Sequence, residues 1–324
     1  MCTAVNFHSR DHYFGRNLDL EYAYNESITI TPRNYPFYFR AAPALSNHYA
    51  MIGMAYICDN YPLYYDATNE HGLSMAGLNF PGNAHYFPFH EEKENITPFE
   101  LTPWLLGQCK NLSEAKKLLS NLNLLNAQFN ADLPLSPLHW IISYKRESIV
   151  LESTIDGIKI YDNPVGVLTN NPPFPYHIYH LSNYLNLTSD EAESRISDSL
   201  KLPSYSRGGG AWGLPGDLTS ASRFVRCAFV KLNILTKKNE DESISQFFHI
   251  LSAVEQQEGC VKVGKQYEKT IYSSCCNTDK GIYYFKTYYN SQIRAVNMHG
   301  VNLDSVELFS YPLSDQQNIL WLNE

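Results

Sequence analysis

The sequence predicts a mixed α+β domain with antiparallel sheets packed between outer helices. Three observations lead there. Strand-length runs with period-two alternation open and close the chain. Short turn signals join those runs into hairpins, which favours antiparallel pairing. Amphipathic helical stretches fall between groups of strands rather than after every strand. The 324 residues contain no internal repeat, low-complexity linker or composition break, so one domain over 1–324 is expected.

In order, Thr3, Val5 and Phe7 alternate with Ala4 and Asn6 to give a first strand. Ser9-Arg10-Asp11-His12 turns it into a second strand running to Asp19. Ser27–Thr31 alternates strictly up to Pro32, which predicts a strand with one wet face. Residues 49–58 are more continuously apolar and read as a buried strand. Residues 64–68 and 73–80 flank the turn signal Asn69-Glu70-His71-Gly72. Asn79 ends the second arm, just before the break at Pro81-Gly82. Thr97-Pro98-Phe99-Glu100 reads as a capping box with proline at the first helical position, opening a helix through Leu105. A further helix starts near Ser113.

Residues 138–144, 148–153, 157–161 and 166–171 read as strands, the last stopping at Asn170-Asn171 before two prolines. Residues 179–200 read as helix, with Thr188 or Ser189 capping an acidic turn. The glycine-rich run 205–216 matches no phosphate-binding pattern and reads as a flexible or gating loop. Thr219 or Ser220 starts a helix to about Leu235 with Phe224, Ala228 and Leu232 as its apolar stripe. Arg223 falls in its first turn, where a positive charge opposes the helix dipole. A helix over 243–257, a hairpin of 270–275 with 281–288, and a strand over 292–298 complete the chain.

Net charge is -8 with no basic block, which argues against nucleic acid as a partner. The seven cysteines are odd in number and irregular in spacing, so a disulfide framework is not expected and a reducing compartment fits. No Cys/His grouping has metal-ligand spacing. The N-terminus lacks the charged and apolar regions of a signal peptide, and no apolar run is long enough to span a bilayer. The expectation is a cytoplasmic protein.

The candidate chemistry begins at Cys2. A small residue after the initiator allows Met1 to be clipped, leaving a free α-amine on the carbon that bears the thiol. An α-amine titrates at about 7.7–8.0 and a cysteine thiol at about 8.5, so base and nucleophile sit in one residue near neutrality. Arg16 and Asp19 arrive one hairpin later, where a returning strand lies beside residue 2. A guanidinium there favours thiolate, and a carboxylate can orient the amine. Asn79 and Asn170 stand at strand ends, where an amide makes turns or donates to a reaction centre.

Five segments in this order resemble the choloylglycine hydrolase family, the bile salt hydrolases and penicillin V acylases among the N-terminal nucleophile hydrolases. They are Met1-Cys2-Thr3-Ala4, Gly15-Arg16-Asn17-Leu18-Asp19, Gly77-Leu78-Asn79-Phe80-Pro81-Gly82, Leu168-Thr169-Asn170-Asn171-Pro172 and Ser220-Ala221-Ser222-Arg223-Phe224-Val225-Arg226. The resemblance covers essentially the whole chain. It implies a four-layer αββα fold, two stacked antiparallel sheets between helix layers, assembled as a homotetramer. It makes Cys2 the nucleophile with its freed amine as base, and Arg16 and Asp19 the residues that tune and orient it. Asn170 takes the place of an oxyanion donor, with Asn171 as the neighbouring alternative, and Arg223 shapes the charge of the site. Asparagine at position 79, where penicillin V acylases tend to carry tyrosine, tilts the reading toward bile salts conjugated to glycine or taurine. Arg207 resembles serine-arginine loops associated with taurine preference. No metal or cofactor is implied. A penicillin V acylase or broader amide hydrolase is the alternative within the family, and a non-catalytic binder of bile acids or lipids is the alternative outside it. Loss of turnover in Cys2→Ala separates the enzymes from the binder.

Overall fold

The computed structural model describes residues 1–323. Two large antiparallel sheets dominate it. In the first, neighbours run Val167–Leu168, Cys2–His8, His12–Leu20, Gln266–Asn277, Ile282–Thr287 and Arg294–Asn297, with Val261–Val263 added beside the start of Gln266–Asn277. In the second they run Gly157–Asp162, Glu147–Thr154, Leu138–Tyr144, Ser74–Asn79, Tyr61–Asn69, Met51–Cys58, Ser27–Thr31 and Phe309–Pro312. A short parallel pair, Glu94–Ile96 with Leu122–Leu124, stands apart.

Side-chain alternation on the second sheet fills two separate cores. Ile52, Met54, Ala76, Leu78, Ile141 and Val150 pack inward with Ala4, Leu18 and Phe285 of the first sheet. Their strand neighbours Met51, Met75, Trp140, Ile142, Ile149 and Leu151 pack outward with Leu101, Trp104, Leu105 and Leu119. Those residues belong to the helices Leu101–Leu106 and Leu112–Leu119, which lie against this sheet. On the other side, the helices Ser220–Asn233 and Glu240–Ser252 lie against the first sheet. The strict period of two makes this possible: adjacent residues face opposite layers. With a core on each side, the strands read as nearly continuous apolar runs although the sheets are antiparallel.

Several sequence expectations change. Ser27–Thr31 has no wet face, since all five residues are buried. Its polar side chains pair instead: Thr31 Oγ1 with the Tyr64 hydroxyl at 2.7 Å, and Ser27 Oγ with Thr29 Oγ1 at 3.3 Å. The capping box at Thr97 is half formed. The Glu100 carboxylate accepts from the Thr97 N–H at 3.1 Å, but the helix begins one turn later. The helix expected over 179–200 is displaced. Helical structure covers Phe174–Leu181 and a short 3-10 turn, Ser182–Tyr184. Thr188 then spends its hydroxyl on the N–H of Asp190 at 3.1 Å, a turn contact rather than a helix cap. Leu185 and Ile196 are 86% and 78% exposed, so no apolar face is buried to support a helix there. In Ser220–Asn233, Phe224 and Ala228 are buried but Leu232 faces solvent.

Candidate active site

Cys2 lies on an interior strand of the first sheet, paired with Leu18, and is 2% exposed. The strand period separates its neighbours into two groups. Arg16 and Leu18 point with Cys2 toward the second sheet; Thr3, Asn17 and Asp19 point toward the helices. Arg16 and Asp19, expected together beside Cys2, therefore flank it from opposite faces.

On the helix side, Arg223 is fully buried and spends its fork on the start of the chain. It donates to the Cys2 carbonyl and to Thr3 Oγ1, each at 2.6 Å, and to Asn170 Oδ1 at 2.7 Å. Its Nε donates to the Leu218 carbonyl at 3.2 Å. Asp19 lies 4.0 Å from the Arg223 guanidinium and accepts from Thr270 Oγ1 at 2.7 Å. Burial raises the Asp19 pKa and lowers that of Arg223, and each charge opposes the shift of the other. Arginine stays protonated in proteins, so the site keeps this cation.

Asn170 connects the layers. Its Oδ1 accepts from the Cys2 N–H at 2.8 Å, and its Nδ2 donates to the Asn79 carbonyl at 2.8 Å. One Nδ2 hydrogen is left over for another acceptor. Asn171 turns away and donates to the Pro81 carbonyl at 2.5 Å. The Asn170 backbone is itself held, its N–H by Ser220 Oγ at 2.8 Å and its carbonyl by His177 Nε2 at 2.9 Å.

On the cavity side, Arg16 is 0% exposed. It donates to the carbonyls of Tyr65 at 2.9 Å and Gly77 at 2.6 Å on the opposite sheet. Its second terminal nitrogen is buried with no partner among the described residues. Burial works against this charge, but Cys2, Tyr272, Asp66 and Asp19 outweigh it and raise the pKa above its ordinary value. Asp66 is a buried anchor between the sheets. It accepts from the hydroxyls of Tyr272 and Tyr283, each at 2.7 Å.

Cys2, Arg16 and Asn79 line a cavity of about 410 Å³ between the sheets. That lies within the about 300–1,000 Å³ usual for small-molecule sites. Its walls are mainly apolar, from Leu18, Leu20, Leu63, Phe99, Phe129, Leu133, Leu135 and Leu138, with Tyr24, Tyr65, Ser136 and the acidic Asp132 as polar points. The Asn79 side chain makes no hydrogen bond among the described residues. Arg207 is exposed and is not among the residues lining this cavity. Arg16 is the cation on the wall.

Met1 is present, so the nitrogen of Cys2 is a peptide amide here. The Met1 amine donates to the Asp19 carbonyl at 2.7 Å and pairs with the buried Glu268 carboxylate. Burial lowers the pKa of this amine.

A buried cysteine at the head of the chain, set between stacked antiparallel sheets and opening on an apolar cavity, defines an N-terminal nucleophile type of amide hydrolase. The chain belongs to the choloylglycine hydrolase family of linear amide C–N hydrolases, whose model matches residues 2–311. It is 55% identical over its full length to the full-length bile salt hydrolase/transferase of Lactiplantibacillus plantarum. The solved structure of the C2A mutant conjugated bile acid hydrolase from Clostridium perfringens superposes with a TM-score of 0.92 at 36% identity, covering 100% of both chains. Penicillin V acylase from Agrobacterium tumefaciens shares the fold, with a TM-score of 0.75 at 17% identity over 95% of this chain and 90% of that one.

Sequence reasoning missed three parts of this arrangement. The Thr270 contact to Asp19 and the Glu268 contact to Met1 come from a strand more than 240 residues downstream, as the separation of 251 between Asp19 and Thr270 illustrates. Asp66 gave a signal that could have been used: a lone acid inside the otherwise uncharged strand Tyr61–Asn69. His177 sits in the helix that the sequence reading placed too late.

Proposed function

We propose that the chain, trimmed to begin at Cys2, hydrolyses the amide bond joining a bile acid to glycine or taurine. The observation that carries this reading is the placement of Cys2. It stands at the head of the chain, on the wall of an apolar cavity, with Asn170 Oδ1 at 2.8 Å from its nitrogen. Trimming turns that nitrogen into an amine, and Asn170 is placed to accept one of its hydrogens. The amine takes the thiol proton, and the thiolate attacks the amide carbonyl to form a tetrahedral oxyanion. The free Asn79 amide and the remaining Asn170 N–H supply donors to that oxyanion, each worth roughly 3–4 kcal/mol. The ammonium returns its proton to the departing glycine or taurine nitrogen as the C–N bond breaks, leaving a thioester on Cys2. The same amine then takes a proton from water; the hydroxide attacks the thioester and frees the bile acid and the thiol.

Asp19 and Arg223 act from behind, fixing the head of the chain and Asn170. Arg16, with an unspent donor on the cavity wall, serves the substrate carbonyl or the anion of the leaving group. No step calls on a metal or cofactor. Asparagine at position 79, where penicillin V acylases tend to carry tyrosine, favours this reading over a penicillin V acylase. We further assign one domain over 1–324, a homotetramer, and a cytoplasmic location. None of the helices in the described residues is long and apolar enough to cross a membrane.

Release of glycine and taurine from matched conjugates of one bile acid tests the proposal. Turnover of at least one conjugate, abolished in Cys2→Ala, is expected. Release of phenoxyacetate from penicillin V with neither conjugate cleaved would overturn it.

A further inference from the structure

Outside the cavity wall lies a fully buried polar pair, His139 and Glu152, on adjacent strands of the second sheet. His139 Nδ1 lies 3.1 Å from Glu152 Oε1, and His139 Nε2 lies 2.9 Å from the Thr169 carbonyl. The ring is stacked on Phe80 at 4.3 Å and 5°, which fixes its plane. Glu152 Oε1 also accepts from the Phe174 N–H at 2.8 Å.

A carbonyl oxygen only accepts, so Nε2 must carry a hydrogen. The Nδ1 contact then needs one further proton, on the ring or on the carboxyl oxygen. Without it, a ring lone pair would face a carboxylate in a buried site. With a second one, the pair would become an uncompensated buried cation. The favoured state therefore shares a single proton between ring and carboxyl and is neutral overall. The titratable groups around it are His177 and, beyond it, Arg223 on the helix side. Tyr161, Lys159, Asp156 and His85 share the outer groove with Glu152.

The pair holds both ends of one segment. His139 takes the Thr169 carbonyl and Glu152 takes the Phe174 N–H; between them sits Asn170, whose amide bridges Cys2 and Asn79. We propose that His139 and Glu152 are positioning residues for the hydrolysis: a neutral, one-proton brace that sets Asn170 against Cys2. The proposal rests on the reading of Asn170 as part of the reacting site.

Glu152→Gln tests it with almost no change of volume. An amide oxygen at the Oε1 position keeps the Phe174 N–H but needs His139 as a lone cation. An amide nitrogen there serves neutral His139 but confronts the Phe174 N–H. The expected result is a fall in kcat of about tenfold to a hundredfold, since small misplacements of a reacting group cost on that scale. KM stays close to wild type, because neither residue lines the cavity. An unchanged kcat, or a rise in KM as large as the fall in kcat, overturns the brace. Asn170→Ala separates the two layers of the argument. If it is inactive while Glu152→Gln is normal, the brace alone fails; if it is fully active, the reading of Asn170 fails and the brace with it. Nitrogen-15 spectra of histidine-labelled wild type give a readout that needs no variant to fold. At neutral pH the His139 Nε2 should carry a hydrogen, as its contact with the Thr169 carbonyl requires, and a bare Nε2 overturns the one-proton state.

Discussion

Replacing Arg223 with methionine probes the head of the chain directly. The change keeps an unbranched, space-filling side chain and removes the charge and all its donors. Four acceptors lose a donor: the Cys2 carbonyl, Thr3 Oγ1, Asn170 Oδ1 and the Leu218 carbonyl. Asp19, 4.0 Å away and fully buried, loses its neighbouring guanidinium. Breaking a buried charge arrangement from one side costs about 3–5 kcal/mol. At roughly 2–3 °C per kcal/mol for a chain of this size, the melting temperature should drop by about 6–15 °C. Loss of the Arg223 hydrogen bond that helps hold Asn170 Oδ1 should also lower kcat/KM by about a hundredfold. Asp19→Asn removes the stranded charge, so the double variant should be less destabilised than the sum of the two single variants. Thermal unfolding followed by fluorescence, with glycine and taurine release on the same samples, reads both quantities. Strict additivity of the two substitutions, or a melting temperature within about 2 °C of wild type for Arg223→Met, would refute the reasoning.

Three further outcomes follow from the same geometry. Asn79→Ala removes a free donor on the cavity wall and should lower kcat by about a hundredfold to a thousandfold with a smaller change in KM, measured by steady-state kinetics. Leu135→Trp fills part of the cavity and should raise KM for bulky conjugates more than it lowers kcat; equal effects on both would count against the cavity as the acyl site. His177 is pushed down to about 4 by burial, from an ordinary value of 6.5. The unfolded chain therefore binds the extra proton between these values. The His177 contribution is complete above about pH 6.5 and is lost as pH falls toward 4, by roughly 3 kcal/mol in all. His177→Gln retains a donor for the Asn170 carbonyl and does not titrate, so its melting temperature should decline less steeply between pH 7 and pH 4.5 than that of wild type, as thermal scans would show.

Local pattern carried much of this molecule. The hairpin of Cys2–His8 with His12–Leu20 was readable because alternation and turn chemistry agree there, and the same holds for Tyr61–Asn69 with Ser74–Asn79. Residues 54–65 and 124–138 supply Tyr56, Leu63, Phe129 and Leu135 to the cavity. What pattern could not supply was parity across layers. Arg16 and Asp19 are three residues apart on a strand, an odd spacing that sends them to opposite faces. The helix over 179–200 was misplaced because Thr188 can cap a helix or close a turn, and only burial of an apolar face decides between them. His139 and Glu152 looked like ordinary strand residues, since nothing local marks a polar pair that meets across two strands.

The most direct test of the account is mass spectrometry on enzyme quenched in acid during turnover of a conjugated bile acid. The account predicts a chain that begins at Cys2 and carries the bile acyl group as a thioester on that residue. Fully active material that retains Met1, or an acyl group attached elsewhere, would contradict it.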